Sequence, residues 1–215
     1  YSPYEEDIGN QFWSILGEIA KKEIDSNIFE DFSKGSKKPF WECELDKWVK
    51  VIHEDSIGVE PILESGIRHL YRNPPIENKR VSMVHGDYRS GNFLYSKNKI
   101  TGILDWEMAH LGDPLEDLGW ALSPIWSWQD KERPAYLLMR EEAIKLWEKT
   151  SEIKIDRNNL KWWELFAAVK GMAIWISAGN EFKSGKNIDP INLFSAWIPG
   201  DIHLEVILDI LESNI

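Results

Sequence analysis

The eight residues His85 to Asn92, reading HGDYRSGN, constrain this chain more than any other part of it. A carboxylate at Asp87 is followed by a side-chain amide at Asn92 and then by a second carboxylate, Asp105, in GILDWE. Phosphoryl transfer asks a protein for these three groups. One carboxylate accepts the proton of an attacking hydroxyl, while the amide oxygen and the other carboxylate hold a hard cation against phosphate oxygens. The flanking residues suit that use. Val81 to Val84 reads as a short strand, and Phe93-Leu94-Tyr95 with Ile100 to Leu104 reads as a hairpin around Ser96-Lys97-Asn98-Lys99. Such a hairpin returns Asp105 to the side of Asn92, as a shared ion requires. Each residue alone has a plainer reading: Asp87 as a turn residue after Gly86, Asn92 as a loop closer, Asp105 as a helix cap. The spacing of all three together is what the plainer readings leave unexplained.

The pattern resembles the catalytic loop and metal-binding segment of the aminoglycoside phosphotransferase-like kinases, H-x-D-x-x-x-x-N with a downstream D-W/F-E. That family is itself related to the protein-kinase pattern H-R-D-x-x-x-x-N and D-F-G. The continuation EMAHLGDPLEDLGWAL is similar to the family's G-D-P-x-x-D-L. The likeness is densest from Met83 to Leu122 and extends loosely over nearly the whole chain. It is strongest to bacterial phosphotransferases that resemble the kinase-like part of acyl-CoA dehydrogenase fusions, so the resemblance does not imply aminoglycoside resistance.

The resemblance implies an ATP- and Mg2+-dependent kinase acting on the hydroxyl of a small molecule, with Asp87 as base and Asn92 and Asp105 as metal ligands. Arg89, inside the loop, reaches a phosphate, the substrate or a neighbouring carboxylate. Leu94 matches the apolar floor under adenine, with Ile103 and Leu104 beside it; plain core packing is the alternative for all three. His85 is expected to pack beneath the loop and fix its backbone. Glu107 supports the metal site or caps the next segment. Asp117 is expected to hydrogen-bond the loop backbone, and Asp113 to cap the helix after Pro114. Trp126, Trp128, Trp162 and Trp163 form either a substrate wall or core.

A complete member of this family resembles two lobes, the smaller one β-rich, with a phosphate-covering Gly-rich loop and a strand lysine. Nothing before His85 looks like that lobe: Gly9, Gly17, Gly35, Gly58 and Gly66 are isolated, and the chain begins at Tyr1 without a methionine. Residues 1–215 are therefore expected to be the C-terminal lobe of a longer kinase, α+β but mostly α, a helix bundle carrying a catalytic β-hairpin. The absent N-terminal lobe of the same protein is its expected partner. The lobe alone should bind ATP weakly and leave an apolar surface exposed around Leu94, Ile103 and the first helix.

Composition excludes more than it selects. A formal charge of −11 argues against a nucleic-acid surface, which needs a basic face. No apolar run approaches a membrane span, and the single Cys43 suits a reducing cytoplasm. Helices are expected over Ile8 to Ile24, Phe40 to Glu54, Pro61 to Tyr71, Pro114 to Leu122, Arg133 to Thr150, Asn158 to Phe182 and Asp201 to Leu211. Asp31 to Pro39, Pro124 to Asp130 and Ser184 to Pro190 read as loops. Two other functions compete. A metal-dependent hydrolase would use His85, Asp87, Asp105, Glu107 and His110, but no histidine pair has ligand spacing and Asn92 is left idle. A non-catalytic binding module or pseudokinase is opposed by the intact base and ligands.

Overall fold

A computed structural model describes residues 3–22, 24, 38–56, 58–77, 80–127 and 129–213 of the chain. Most of the expected loop from Asp31 to Pro39, and Trp128, lie outside them. Seven helices carry the fold among the described residues: α1 (Pro3–Lys21), α2 (Phe40–Asp55), α3 (Pro61–Arg72), α4 (Leu115–Ala121), α5 (Arg140–Ser151), α6 (Arg157–Lys183) and α7 (Pro190–Glu212). Four short strands complete it: β1 (Ser82–Val84), β2 (Phe93–Ser96), β3 (Lys99–Ile103) and β4 (His110–Gly112). No helix among the described residues is long and apolar enough to cross a membrane.

The long helix α6 is the spine. Its residues Leu160 to Val169 are almost all buried, since α2, α3, α4 and α7 pack around it. A helix that is apolar all round belongs in such a centre. Asp156 starts it by accepting the N–H groups of Asn158 and Asn159, both at 2.9 Å. On one side α1 packs against α5, burying Phe12, Trp13 and Leu16. Five tryptophans lie in this core: Trp13, Trp48, Trp147, Trp162 and Trp163 are buried, and Trp162 stacks on Phe166 at 5.8 Å between centroids. Trp162 and Trp163 are thus core residues.

Two antiparallel ribbons stand on this bundle. β2 and β3 form the expected hairpin, turned by Lys97 and Asn98, both with positive φ (49° and 60°) as a two-residue hairpin loop demands. β1 pairs with β4, matching Ser82 with Gly112 and Val84 with His110. β4 is too short to announce itself by alternation and was not anticipated. Three helices also differ from expectation, α1 spanning Pro3–Lys21 where Ile8 to Ile24 was expected. Ala135 and Tyr136 adopt left-handed φ of 58° and 61°, so Arg133 to Met139 forms turns that bury Leu137 and Leu138, and α5 begins only at Arg140. The last helix begins early, at Pro190, where Asp189 caps the Ile191 N–H. It continues through Pro199, whose missing N–H is outweighed by packing against α6.

Candidate active site

The loop between β1 and β2 is built from beneath. The Asp117 carboxylate, fully buried at the start of α4, accepts the His85 N–H at 2.6 Å and the Gly86 N–H at 2.9 Å. Burial raises its pKa, and the adjacent Glu116 adds to that, while the two N–H groups oppose it. Asp113 caps the same helix through the Leu115 N–H at 2.9 Å. His85 is wholly buried; its Nδ1 accepts the Asp87 N–H at 3.1 Å and its Nε2 lies 2.8 Å from the Leu104 carbonyl. That pairing requires the proton on Nε2. The histidine thus ties the residue before Asp105 to the residue at the loop's centre, and neither nitrogen is left for a metal.

Gly86 carries the sharpest turn, at φ 85°, where an added Cβ would lie 2.6 Å from the Met108 carbonyl oxygen. The loop then presents Asp87, whose carboxylate collects three donors. Arg89 Nε lies 3.1 and 3.2 Å from its two oxygens, the Trp120 indole N–H gives 2.9 Å to Oδ1, and the Asn92 amide gives 2.7 Å to Oδ2. Asn92 also bonds the Asp87 carbonyl at 2.9 Å, closing the loop on itself. The Arg89 guanidinium rests 5.0 Å above the Trp126 ring.

Asp105 follows β3, and the Leu104 N–H donates to the Asn92 carbonyl at 2.9 Å, so the hairpin brings the two backbones together. Asp105 itself is left-handed, φ 66° and ψ 55°, and exposed, with no hydrogen bond to its carboxylate among the described residues. It does not cap the short turn Trp106–Met108 that follows. The Asn92 amide spends its N–H groups on Asp87, which leaves its oxygen free. An amide oxygen and a carboxylate without hydrogen bonds are donors of the hard type that magnesium takes.

A cleft of about 660 Å³ opens in front of Asp87, lined by Trp48, Trp120, Trp126, Trp175, Arg89 and Glu107 among others. The expected adenine side is less uniform. Ile103 pairs with Phe93 and packs on the core, whereas Leu94, opposite Gly102, faces outward on the other side of the hairpin. Leu94 and Leu104 are exposed, with Tyr95 and Trp106 nearby, and open space lies over Gly102. Ile103, and Ile8, Ile15 and Ile19 of α1, are partly buried against the core instead of being fully exposed.

Sequence reasoning passed over Lys170, Glu116 and Trp120. Lys170, on α6, is 1% exposed; its ammonium donates to the Gly86 carbonyl at 2.7 Å and meets Glu116 at 3.1 Å. Glu116 in turn meets His110 Nε2 at 3.0 Å, with Glu44 at 3.9 Å. Burial acts against the Glu116 charge, but Lys170 and His110 outweigh it and hold the carboxyl at about 2. Burial likewise pulls His110 down, but Glu116 and Glu44 prevail and raise it to about 9. Glu44, His110 and Glu116 form the one group of three or more His, Cys, Asp or Glu side chains among the described residues close enough to share a metal ion, yet Lys170 already neutralises Glu116. A lone lysine inside the apolar run Leu165 to Ile176 was the available signal.

A loop carrying Asp87 and Asn92, a hairpin followed by Asp105 and a supporting helical lobe together make up a kinase-like phosphotransferase fold. Residues 7–153 match the model of the phosphotransferase enzyme family, and the chain belongs to that family. The chain is similar to mouse acyl-CoA dehydrogenase family member 10, at 26% identity over 109 residues, 50% of this chain and 10% of that protein. It is similar also to human acyl-CoA dehydrogenase family member 11, at 24% over 105 residues, 48% of this chain and 13% of that protein. The chain therefore matches only a small part of these relatives' length. Among solved structures, a putative aminoglycoside phosphotransferase from Ralstonia eutropha superposes with a TM-score of 0.78 at 17% identity, covering 99% of this chain and 67% of that one. A gentamicin complex of an aminoglycoside phosphotransferase gives 0.56 at 18%, covering 95% and 63%. These likenesses establish the fold.

Proposed function

We propose that the chain carries the catalytic loop of an ATP- and magnesium-dependent kinase that phosphorylates a hydroxyl of a small molecule in the cytoplasm. The observation that carries this reading is the convergence of Asp87 and Asn92, joined by hydrogen bonds, with the hairpin that returns Asp105 beside them. Asp87 orients the acceptor hydroxyl and takes its proton late in a loose transition state, while Asn92 and Asp105 hold the cation. Magnesium, when bound, supplies charge neutralisation on the transferring phosphate. Arg89 offers its positive charge at the same cleft, and Glu107 lines the wall. Leu94 and Leu104 supply the open apolar face for adenine, with Ile103 supporting it from the core side. A solved ternary complex of an aminoglycoside phosphotransferase with streptomycin and ATP supports a nucleotide in this fold.

The hydrolase alternative loses its first ligand, since both nitrogens of His85 are engaged inside the loop. The phosphate-covering half of the clamp comes, in this reading, from another part of the same protein. The sequence before His85 has neither a Gly-rich loop nor a strand lysine, and the only strand in its described part is the three-residue β1.

Calorimetry and turnover on the full-length protein test the division of roles. Asp87→Asn should lower turnover by about 10²- to 10⁴-fold with ATP affinity little changed. Asp105→Ala should abolish magnesium-dependent nucleotide binding. Identical profiles for the two would refute the assignment.

A further inference from the structure

The donors that hold Asp87 differ in kind. Arg89 is a rotatable cation at the cleft, and Asn92 is shared with the proposed metal site. Trp120 is neither. It is 2% exposed on α4, three residues after the Asp117 that holds the loop backbone, so one face of a short helix grips both the loop and its carboxylate. Its surroundings fix it. The Trp120 carbonyl accepts the Trp126 indole N–H at 2.9 Å, the two rings meet at 5.2 Å, and the Lys170 ammonium lies 5.1 Å from the Trp120 ring. Trp126 in turn carries Arg89 on its face. An indole N–H only donates, and it neither gains nor loses a proton in any ordinary range of pH.

Resting on the reading of Asp87 as base, we propose that Trp120 is a positioning residue of the transfer: its indole N–H fixes the rotamer of the Asp87 carboxylate facing the cleft. As the acceptor oxygen bonds to the γ-phosphorus and the bond to ADP breaks, the acceptor's proton passes to Asp87. Trp120 keeps its own proton throughout. Its contribution is a carboxylate already aimed when the acceptor arrives, so that no reorientation is needed at the moment of reaction.

The test uses the full-length protein with magnesium-ATP as probe, ADP release being measured over a panel of small alcohols and the fastest acceptor retained. Trp120→Phe keeps most of the ring and removes the N–H. Its kcat should fall by about 10- to 100-fold, with KM for ATP and acceptor within about twofold. Trp163→Phe, a core change of the same kind away from the loop, should keep the wild-type kcat. Nitrogen-15 labelling of tryptophan adds a readout that needs no substitution at Trp120. Its indole N–H should be protected from exchange in the wild type, and should shift and lose protection in Asp87→Ala. If Asp87→Asn is inactive while Trp120→Phe turns over like the wild type, or if the indole signal ignores Asp87→Ala, the positioning role is refuted with the base intact. If Asp87→Asn stays active, the base reading falls and the positioning role falls with it.

Discussion

Lys170 donates to the carbonyl of Gly86 at 2.7 Å while the same residue's N–H is held by Asp117 at 2.9 Å, so the peptide before the base is clamped by buried groups of opposite charge. Lys170 and Asp117, which hold the residue before Asp87, come from different helices, α6 and α4. Those helices are packed together, and the loop's height above the bundle is thereby set by the bundle.

Removing the cation should therefore cost more than one hydrogen bond. Lys170→Met leaves the Gly86 carbonyl and the Glu116 carboxylate short of their partner in a site 1% exposed. Breaking a buried pair from one side costs about 3–5 kcal/mol. The double change Lys170→Met, Glu116→Gln should recover part of that loss, and a urea double-mutant cycle measures the coupling. Additive effects would show that the pair contributes no energy of its own.

The same network predicts a pH window. Glu116 is depressed from 4.5 to about 2, so its contribution is present above pH 4.5 and is lost as pH falls toward 2. His110 is raised from 6.5 to about 9, so its contribution is full below pH 6.5 and is lost as pH rises through 9. Stability from this cluster should peak between about pH 4.5 and 6.5. His110→Gln should flatten the decline between pH 6.5 and 9 in denaturant melts, and an unaltered slope would place the alkaline loss elsewhere.

Asp117→Asn is nearly isosteric but should not be mild. An amide has one oxygen, so its NH2 must face either the His85 or the Gly86 N–H, donor against donor. One buried N–H is left unpaired, at about 1–3 kcal/mol. Melts should show the loss, and magnesium-ATP turnover should fall with it as the loop lifts. Wild-type stability in the variant would mean that solvent reaches these N–H groups.

The candidate site residues were legible because phosphoryl-transfer chemistry restricts such groups to certain types at certain spacings, and Asp87, Asn92 and Asp105 stand at those spacings. The helices with clean apolar periodicity were legible too, α2 and α3 nearly to the residue. The groups that hold the loop were not. Lys170 and Trp120 lie far from Asp87 in the chain, and their roles depend on how α4 and α6 pack, which no local pattern encodes. β4 is three residues long, too short for alternation to appear. α7 runs through Pro199 because tertiary packing overrides a local veto. The register that places Ile103 opposite Phe93 was not legible either, because it depends on the bulge between Leu94 and Tyr95.

The seat of α4 on α6 offers the most stringent test of these long-range links. A Cβ at Gly119 would stand 2.8 Å from the Trp163 carbonyl carbon and oxygen and 3.1 Å from the Glu164 nitrogen, all backbone atoms of the central helix. Backbone at the middle of α6 has no rotamer with which to yield, so Gly119→Ala must push α4 outward. Overpacking of this kind costs about 1–3 kcal/mol, partly offset by alanine's better helix propensity. The displaced helix carries Asp117 and Trp120, so its movement reaches the loop backbone and the Asp87 carboxylate together. Gly119→Ala in the full-length protein should therefore melt lower and also lose kcat by more than its stability loss explains, even at temperatures where it is fully folded. Gly102→Ala, where an added Cβ meets nothing within 4 Å, is the matched control for melting temperature. A folded Gly119→Ala variant with wild-type kcat would show that α4 can shift without disturbing the base.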